Sequence, residues 1–304
     1  MTEPSDVIVI GAGIAGLICA GELVAAGLSV TQFEPGFPGG LVINVNELSG
    51  CESAEGLSGM DYAGTLAVHN QKAGVRTVMD AVTAIRVDGP SFTVTTDSAT
   101  HAARFVVLAS GAHLQKLNIP GEAEFAGLGV SECADCDAPL YTGAVTAIAG
   151  DGPWAVQDAL LLAQECSTVH LVCGASQPHA SNTSLQALET QPRIQLHADS
   201  TVTEVLGNDQ GVTGIRIQGA TGQPLDLPVS ALFVMAGLEP NSEIAPETIT
   251  RDETRALRTD AQGETSVPGL WAIGQVRAGF GGRLDDALDD ARRAAHDIQL
   301  RAAS

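Results

Sequence analysis

One parallel-sheet α/β domain inserted within another is the fold that this 304-residue sequence predicts. Three observations carry it. A β-branched run, a glycine-rich turn and a helix pattern follow one another near the start, in "VIVIGAGIAG". The same order recurs at mid-chain, in "AVTAIAGDGPWAVQDALLLAQ". A last strand and helix, "VPGLWAIGQV" and "GRLDDALDDARRAAHDIQL", stand beyond the second copy and complete the first sheet in folds of this kind. The first domain is therefore expected over residues 1–113 and 241–304, and the second over 114–240.

Each element has a local reason. In the first turn, Gly11 permits the tight bend, Gly13 lets a pyrophosphate approach the backbone, and Gly16 lets helix and strand pack closely. Glu34, ending the next strand in "LSVTQFEPG", stands where a carboxylate accepts hydrogen bonds from an adenosine ribose. "VTAIRVDGPSFTVTT" reads as a β-hairpin turning at Asp88-Gly89, followed by a buried strand, "FVVLASGA". The second turn offers Gly150, Gly152 and Ala155, then a helix with Leu160, Leu161 and Ala163 on its apolar face. The strand "VHLVCG", the hairpin "STVTEVLGNDQGVTGIRIQG" and the strand "ALFVMAGLEPN" complete that copy. The prediction is two Rossmann-like, three-layer domains, each with a small β insertion.

Charge narrows the function. Asp and Glu number 36 against 15 Lys and Arg, a net charge of −21. Such a chain repels phosphate backbones and anionic lipid, which sets aside nucleic acid and membrane surfaces as partners. The apolar stretch from Val7 to Leu28 follows the acidic "MTEPSD" and contains Glu22, so it reads as strand and helix rather than a signal peptide or membrane span. The expected location is the cytoplasm, where most thiols stay reduced.

Six cysteines are present, and only Cys133 and Cys136 form a close pair. The pair reads as a redox disulfide, half of a metal site, or two buried thiols. A structural zinc needs four ligands. Cys166 and Cys173 are six residues apart on a helix and a strand, and no suitable histidine pair lies near any cysteine, so no metal site is expected. A Cys-x-x-Cys turn lowers a thiol pKa, and Asp137 directly behind it suits proton transfer to a leaving sulfur.

Nearly end to end, the chain resembles the low-molecular-weight thioredoxin reductases. The resemblance rests on the Gly11/Gly13/Gly16 motif, "PGGLVINVNELSG" after the Glu34 strand, "ASGA" at 109–112, "CADCD" at 133–137 and "GDGPWA" at 150–155. It implies FAD in the first domain, on Gly11, Gly13, Gly16, Glu34, Gly39, Gly40, Gly111, Gly274 and Gln275. It implies a nicotinamide cofactor, NADPH or NADH, at Gly150, Gly152 and Ala155. It also implies a homodimer, and a relay that ends on a thioredoxin-like protein or a small disulfide. Cys136 would face the flavin, Cys133 would exchange with substrate, and Asp137 would carry the proton.

The departures from that family lie where electrons enter. Its His-Arg-Arg signature, which holds the 2′-phosphate of NADPH, is replaced here by Cys173, Gly174 and Ala175, with His179 in place of a later arginine. Asp151 puts negative charge inside the second turn, Trp154 adds bulk, and the ribityl-binding Ala-Gly-Asp becomes Ile273-Gly274-Gln275. Asp285, Asp286, Asp289 and Asp290 read as favourable charges at a helix start. A related dithiol oxidase using oxygen, a ferredoxin-linked reductase and a non-catalytic flavin-binding partner are the competing readings.

Overall fold

Alternation within short β-branched runs builds the sheets. In β1 (Ser5–Ile10), Val7 and Val9 face one core while Ile8 and Ile10 face another, and all four are buried. A strand buried on both faces belongs at the centre of a covered parallel sheet. The structure, a computed structural model, describes residues 4–48, 51–220 and 222–303. Ser49 and Gly50, the last two residues of "PGGLVINVNELSG", lie outside them.

The chain divides into two units, residues 1–113 with 239–304, and residues 114–238. Unit 1 begins with β1, α1 (Ile14–Ala25), β2 (Val30–Phe33), α2 (Gly59–Ala73) and β3 (Arg76–Val78). The hairpin β4 (Val82–Asp88) and β5 (Ser91–Thr96) leads into the long β6 (Thr100–Leu108). The two turn residues are Gly89 and Pro90, not Asp88 and Gly89, because Asp88 still pairs with Ser91. Gly89 takes a φ of 63°, which a tight hairpin demands of its first central residue. The hairpin is not a separate sheet. β6 pairs antiparallel with β5 through residues 100–103 and parallel with β1 through residues 103–108, so the insertion continues the main sheet.

After β7 (Ala112–Leu114), unit 2 contributes β8 (Val130–Ser131), α3 (Ala134–Asp137), β9 (Val145–Ala149), α4 (Pro153–Glu165), β10 (Thr168–Val172), α5 (Asn182–Thr190) and β11 (Ile194–His197). Then come β12 (Thr201–Asn208), β13 (Gly211–Gln218), β14 (Pro224–Leu227) and β15 (Ala231–Val234). The parallel sheet runs β11-β10-β9-β15-β8, and β12-β13-β14 forms a second, antiparallel sheet. On β13, Arg216 pairs with Glu204 of β12 and Asp226 of β14, so one guanidinium ties three strands. Sequence reasoning missed β14, whose four residues carry too little pattern alone.

The apolar face of α4 also differs from expectation. Ala155, Val156, Ala159, Leu162 and Ala163 are buried, whereas Leu160 and Leu161 are only partly covered. The stripe i, i+1, i+4, i+7, i+8 started at Ala155 and puts both leucines at its margins.

The chain re-enters unit 1 through β16 (Leu238–Pro240), which pairs with β7. The Glu239 carboxylate meets Arg255 at 3.5 Å, which joins that segment to unit 1. β17 (Leu270–Ala272) then pairs parallel with β6, and α6 (Leu284–Ala302) packs on α1. Trp271 Nε1 donates to Asp297 at 3.2 Å, and Arg104 donates to the carbonyls of Arg301 and Ala302, fastening α6 to the sheet. Residues of α1, α2 and α6 pack on one face of the sheet, and on the other Ile8, Ile10 and Val106 pack with Ile85, Phe92 and Val94 of the hairpin and with Ala245, Ile249 and Leu257. No helix among the described residues is long and apolar enough to cross a membrane.

Candidate active site

The two glycine turns are built alike. Gly11 has a φ of 102°, and a Cβ there would lie 2.3 Å from the carbonyl oxygen of Ala109. Gly150 has a φ of 155°, and its Cβ would lie 2.1 Å from the carbonyl oxygen of Met235. Each turn therefore backs onto the exit of a neighbouring strand, where any side chain would displace backbone. The middle glycines are different. A Cβ at Gly13 would have nothing nearer than the Gly39 oxygen at 3.9 Å, and one at Gly152 would meet nothing within 4 Å. Both glycines start a helix with no side-chain cap and no acidic residue in the first turn. Open space before uncapped helix N–H groups fits a diphosphate.

In unit 1 most of the expected cofactor residues gather at the start of α1. Gly16 packs against the Gly11 carbonyl, Gly39 N donates to Ala12 O at 2.7 Å, Gly40 lies over Gly13, and Gly274 backs onto Ala15. Gly111 follows β6 on the strand-end side of the turn, and its carbonyl accepts from Asn241 N. Gln275 is half-buried beside Gly274. Glu34 does more than the sequence indicated. Its Oε2 accepts from Ala12 N at 2.9 Å and its Oε1 from Gly36 N at 3.0 Å, so it braces the turn. A carboxylate has further lone pairs, so it remains able to take ribose hydroxyls.

Asp290 is the residue that sequence reasoning misassigned. Asp286 does cap α6, accepting from Arg283 N at 3.0 Å. Asp290 instead is buried one turn further on. It accepts from Gly274 N at 3.0 Å, from Arg277 Nε at 2.5 Å and Nη2 at 2.8 Å, and from Arg293 Nη2 at 2.5 Å. The acid of a helix start is thus a clamp on the Gly274 turn.

In unit 2 the pair is formed: Cys133 and Cys136 are joined as a disulfide. Both sulfurs are thereby withdrawn from metal ligation. Cys133 caps the short α3, and its Sγ accepts from Cys136 N at 3.1 Å. That N–H remains in place to favour a Cys133 thiolate after reduction. Cys136 is exposed and Cys133 half-buried. Ser131 orders the turn: its hydroxyl donates to Asp137 Oδ2 at 2.7 Å and accepts from Cys133 N at 3.1 Å. Asp137 therefore stands fixed behind the pair with one carboxylate oxygen toward Ser131.

Asp158 on α4 is a further acid beneath α3. Burial, and secondly the Asp135 carboxylate, push it up to about 6 from its ordinary 3.8. A carboxyl raised in the folded state costs nothing below pH 3.8, and its full cost is present above about pH 6. Asp158→Asn should therefore stabilise the protein by on the order of 2 kcal/mol at pH 7.5 and by nearly nothing at pH 3.5. Denaturant melts at both pH values test this, and equal gains at the two would sink it.

Trp154, which stands second in α4, is 43% exposed rather than core-packed. The other four cysteines, Cys19, Cys51, Cys166 and Cys173, are free and buried. Burial pushes Cys19 up to about 12, with the Glu22 charge adding to it, so that thiol is inert.

Comparison with known proteins agrees with this geometry. A family model described as pyridine nucleotide-disulphide oxidoreductase matches residues 5–297. The thioredoxin reductase of Treponema pallidum is 30% identical over 97% of this chain and 96% of its own. The crystal structure of Lactococcus lactis thioredoxin reductase (FR conformation) superposes with a TM-score of 0.89 and 27% identity, covering 97% of this chain and 98% of that one. The thioredoxin reductase of T. acidophilum gives 0.88 and 25%, covering 99% of each.

Proposed function

The chain belongs to the pyridine nucleotide-disulphide oxidoreductase family, as an FAD-dependent disulfide oxidoreductase similar to thioredoxin reductase, and from this we propose that Cys133, Cys136 and Asp137 are its catalytic groups. The observation that carries the proposal is the Cys133–Cys136 disulfide with Asp137 held behind it by Ser131. The comparisons favour this reductase over the dithiol oxidase and ferredoxin-linked readings.

Unit 1 fits FAD at the open Gly13 turn, with Glu34 for the adenosine ribose and Gly274 and Gln275 beside α1. Bound there, FAD supplies the electron pair that reduces the disulfide. Unit 2 fits the diphosphate of a nicotinamide dinucleotide at Gly150, Gly152 and Ala155. On reduction, Cys136 is the sulfur assigned to the flavin side. The Cys133 thiolate, aided by Cys136 N–H, attacks the substrate disulfide and forms a mixed disulfide. Asp137 holds the proton that the departing thiolate takes up. Cys136 then displaces the second thiol and restores the Cys133–Cys136 bond. The substrate is a thioredoxin-like protein, as in the relatives' names, or a small disulfide.

The functional assembly is assigned as a homodimer, supported by Met60 and Val68, apolar and exposed on α2. Four free cysteines suit the reducing cytoplasm, which is the assigned location.

Anaerobic dithionite titration of the FAD-loaded protein tests the core of this. Flavin and disulfide together should take up four electrons, and an uptake of two would overturn the redox role of the pair. Asp137→Asn should keep that uptake but lower disulfide turnover by roughly a hundredfold. Unchanged turnover would remove Asp137 from the proton path.

A further inference from the structure

A 2′-phosphate on an adenosine ribose needs cations where the second strand of a βαβ unit ends, whereas a free 2′-hydroxyl needs a carboxylate there. In unit 2 that strand is β10, and the residues that leave it are Cys173, Gly174 and Ala175. No lysine or arginine lies in residues 173–181, and His179 is the only side chain of that loop that protonation makes cationic. Arg193, on the approach to β11, is spent elsewhere, donating through Nη1 to the carbonyls of Ala163, Gln164 and Cys166 at the C-terminal end of α4.

A carboxylate does reach the place, but from the neighbouring strand. Val172 of β10 pairs with His197 of β11, so the two strands end side by side. Asp199 follows β11, and its N–H donates to the Ala175 carbonyl at 3.0 Å. Cys173 N donates to His197 O at 3.0 Å and Ser200 N to Cys173 O at 2.9 Å, which fixes the two exits to each other. Asp199 has a φ of 50° and is exposed, so its side chain stands free of both strands. The other flank is acidic too. The loop closes on the glycine turn through His179 N, which donates to Asp151 O at 2.6 Å. The charges of Asp151 and Asp199 both act on the buried Cys173 thiol, which burial first pushes up. Carboxylates therefore bracket the end of β10 on two sides.

We propose that Asp199 makes unit 2 select a dinucleotide with a free 2′-hydroxyl, NADH, over its 2′-phosphorylated form, NADPH. The carboxylate accepts from ribose hydroxyls, and together with Asp151 it repels a phosphate dianion. This rests on the reading of unit 2 as the nicotinamide-binding unit.

Binding of redox-inert fragments tests it without turnover. The FAD-loaded protein is titrated calorimetrically with ADP-ribose and with 2′-phospho-ADP-ribose. ADP-ribose should bind at least about tenfold tighter. Asp199→Asn keeps a residue tolerant of the left-handed backbone and should reduce the ratio to below about threefold, mainly by weakening ADP-ribose. Ala175→Arg should tighten 2′-phospho-ADP-ribose by about tenfold. Equal or tighter binding of the phosphorylated fragment, no binding of either, or an unchanged ratio in Asp199→Asn would each overturn the proposal. The dithionite titration does not involve unit 2's nucleotide turn, so a failure here leaves the disulfide reading standing.

Discussion

Cys136→Ser should lose at least about a thousandfold in disulfide turnover while retaining bound flavin, and dithionite uptake should fall from four electrons to two. The Gly11–Gly16 turn belongs to unit 1 and the pair to unit 2, so flavin binding gives an internal control. The two cysteines should nevertheless fail differently. Cys133 Sγ accepts the Cys136 N–H, and a serine at 136 keeps that backbone donor. Cys136→Ser should therefore still attack a disulfide and stall as a mixed disulfide, which a non-reducing gel with thioredoxin detects. Cys133→Ser should be equally inactive and trap nothing. Trapping by Cys133→Ser instead would exchange the two roles.

Asp290→Ala should be the most damaging change in unit 1 away from the turns. The side chain of Asp290 is 2% exposed and receives Arg277, Arg293 and Gly274 N. Arg277 is itself only 16% exposed at its side chain, so removing the acid strands a guanidinium with little water to replace it. Breaking such a buried pair costs about 3–5 kcal/mol. For a chain of this size that corresponds to a fall in melting temperature on the order of 10 °C. Flavin retention should fall with it, because Gly274 loses the acceptor that fixes its turn. Asp290→Asn should lie between, since an amide oxygen still accepts from Gly274 N. A melting temperature unchanged by Asp290→Ala would show that the clamp contributes nothing.

The local signals in the sequence carried far. Strand, glycine turn and helix sit within a dozen residues, and Cys133, Cys136 and Asp137 within five, so their grouping is legible without a fold. What escaped depends on partners brought from a distance. Asp290 meets Gly274 across 16 residues, and Glu34 meets Ala12 across 22. Nothing in "LDDALDD" distinguishes the one aspartate that turns inward from the three at the helix start that do not. Asp199 lies 24 positions beyond Ala175, and only the parallel pairing of β10 with β11 brings them together. The apolar face of α4 was misplaced for the opposite reason, since three consecutive leucines outweighed the small residues that the sheet admits.

The nesting of the chain has a consequence for its synthesis. Unit 2 is one continuous stretch, residues 114–238, and every strand of its sheets has left the ribosome by β15. Unit 1 at that moment lacks β17, which pairs with β6, and α6, which covers α1. The half translated first is thus the half that finishes folding last. Until α6 emerges, the α1 face stays bare and the Gly274 turn lacks the Asp290 carboxylate that fixes it. The nascent chain is therefore most exposed to misassembly during the last 65 or so residues, when its second-born unit already has its full sheet.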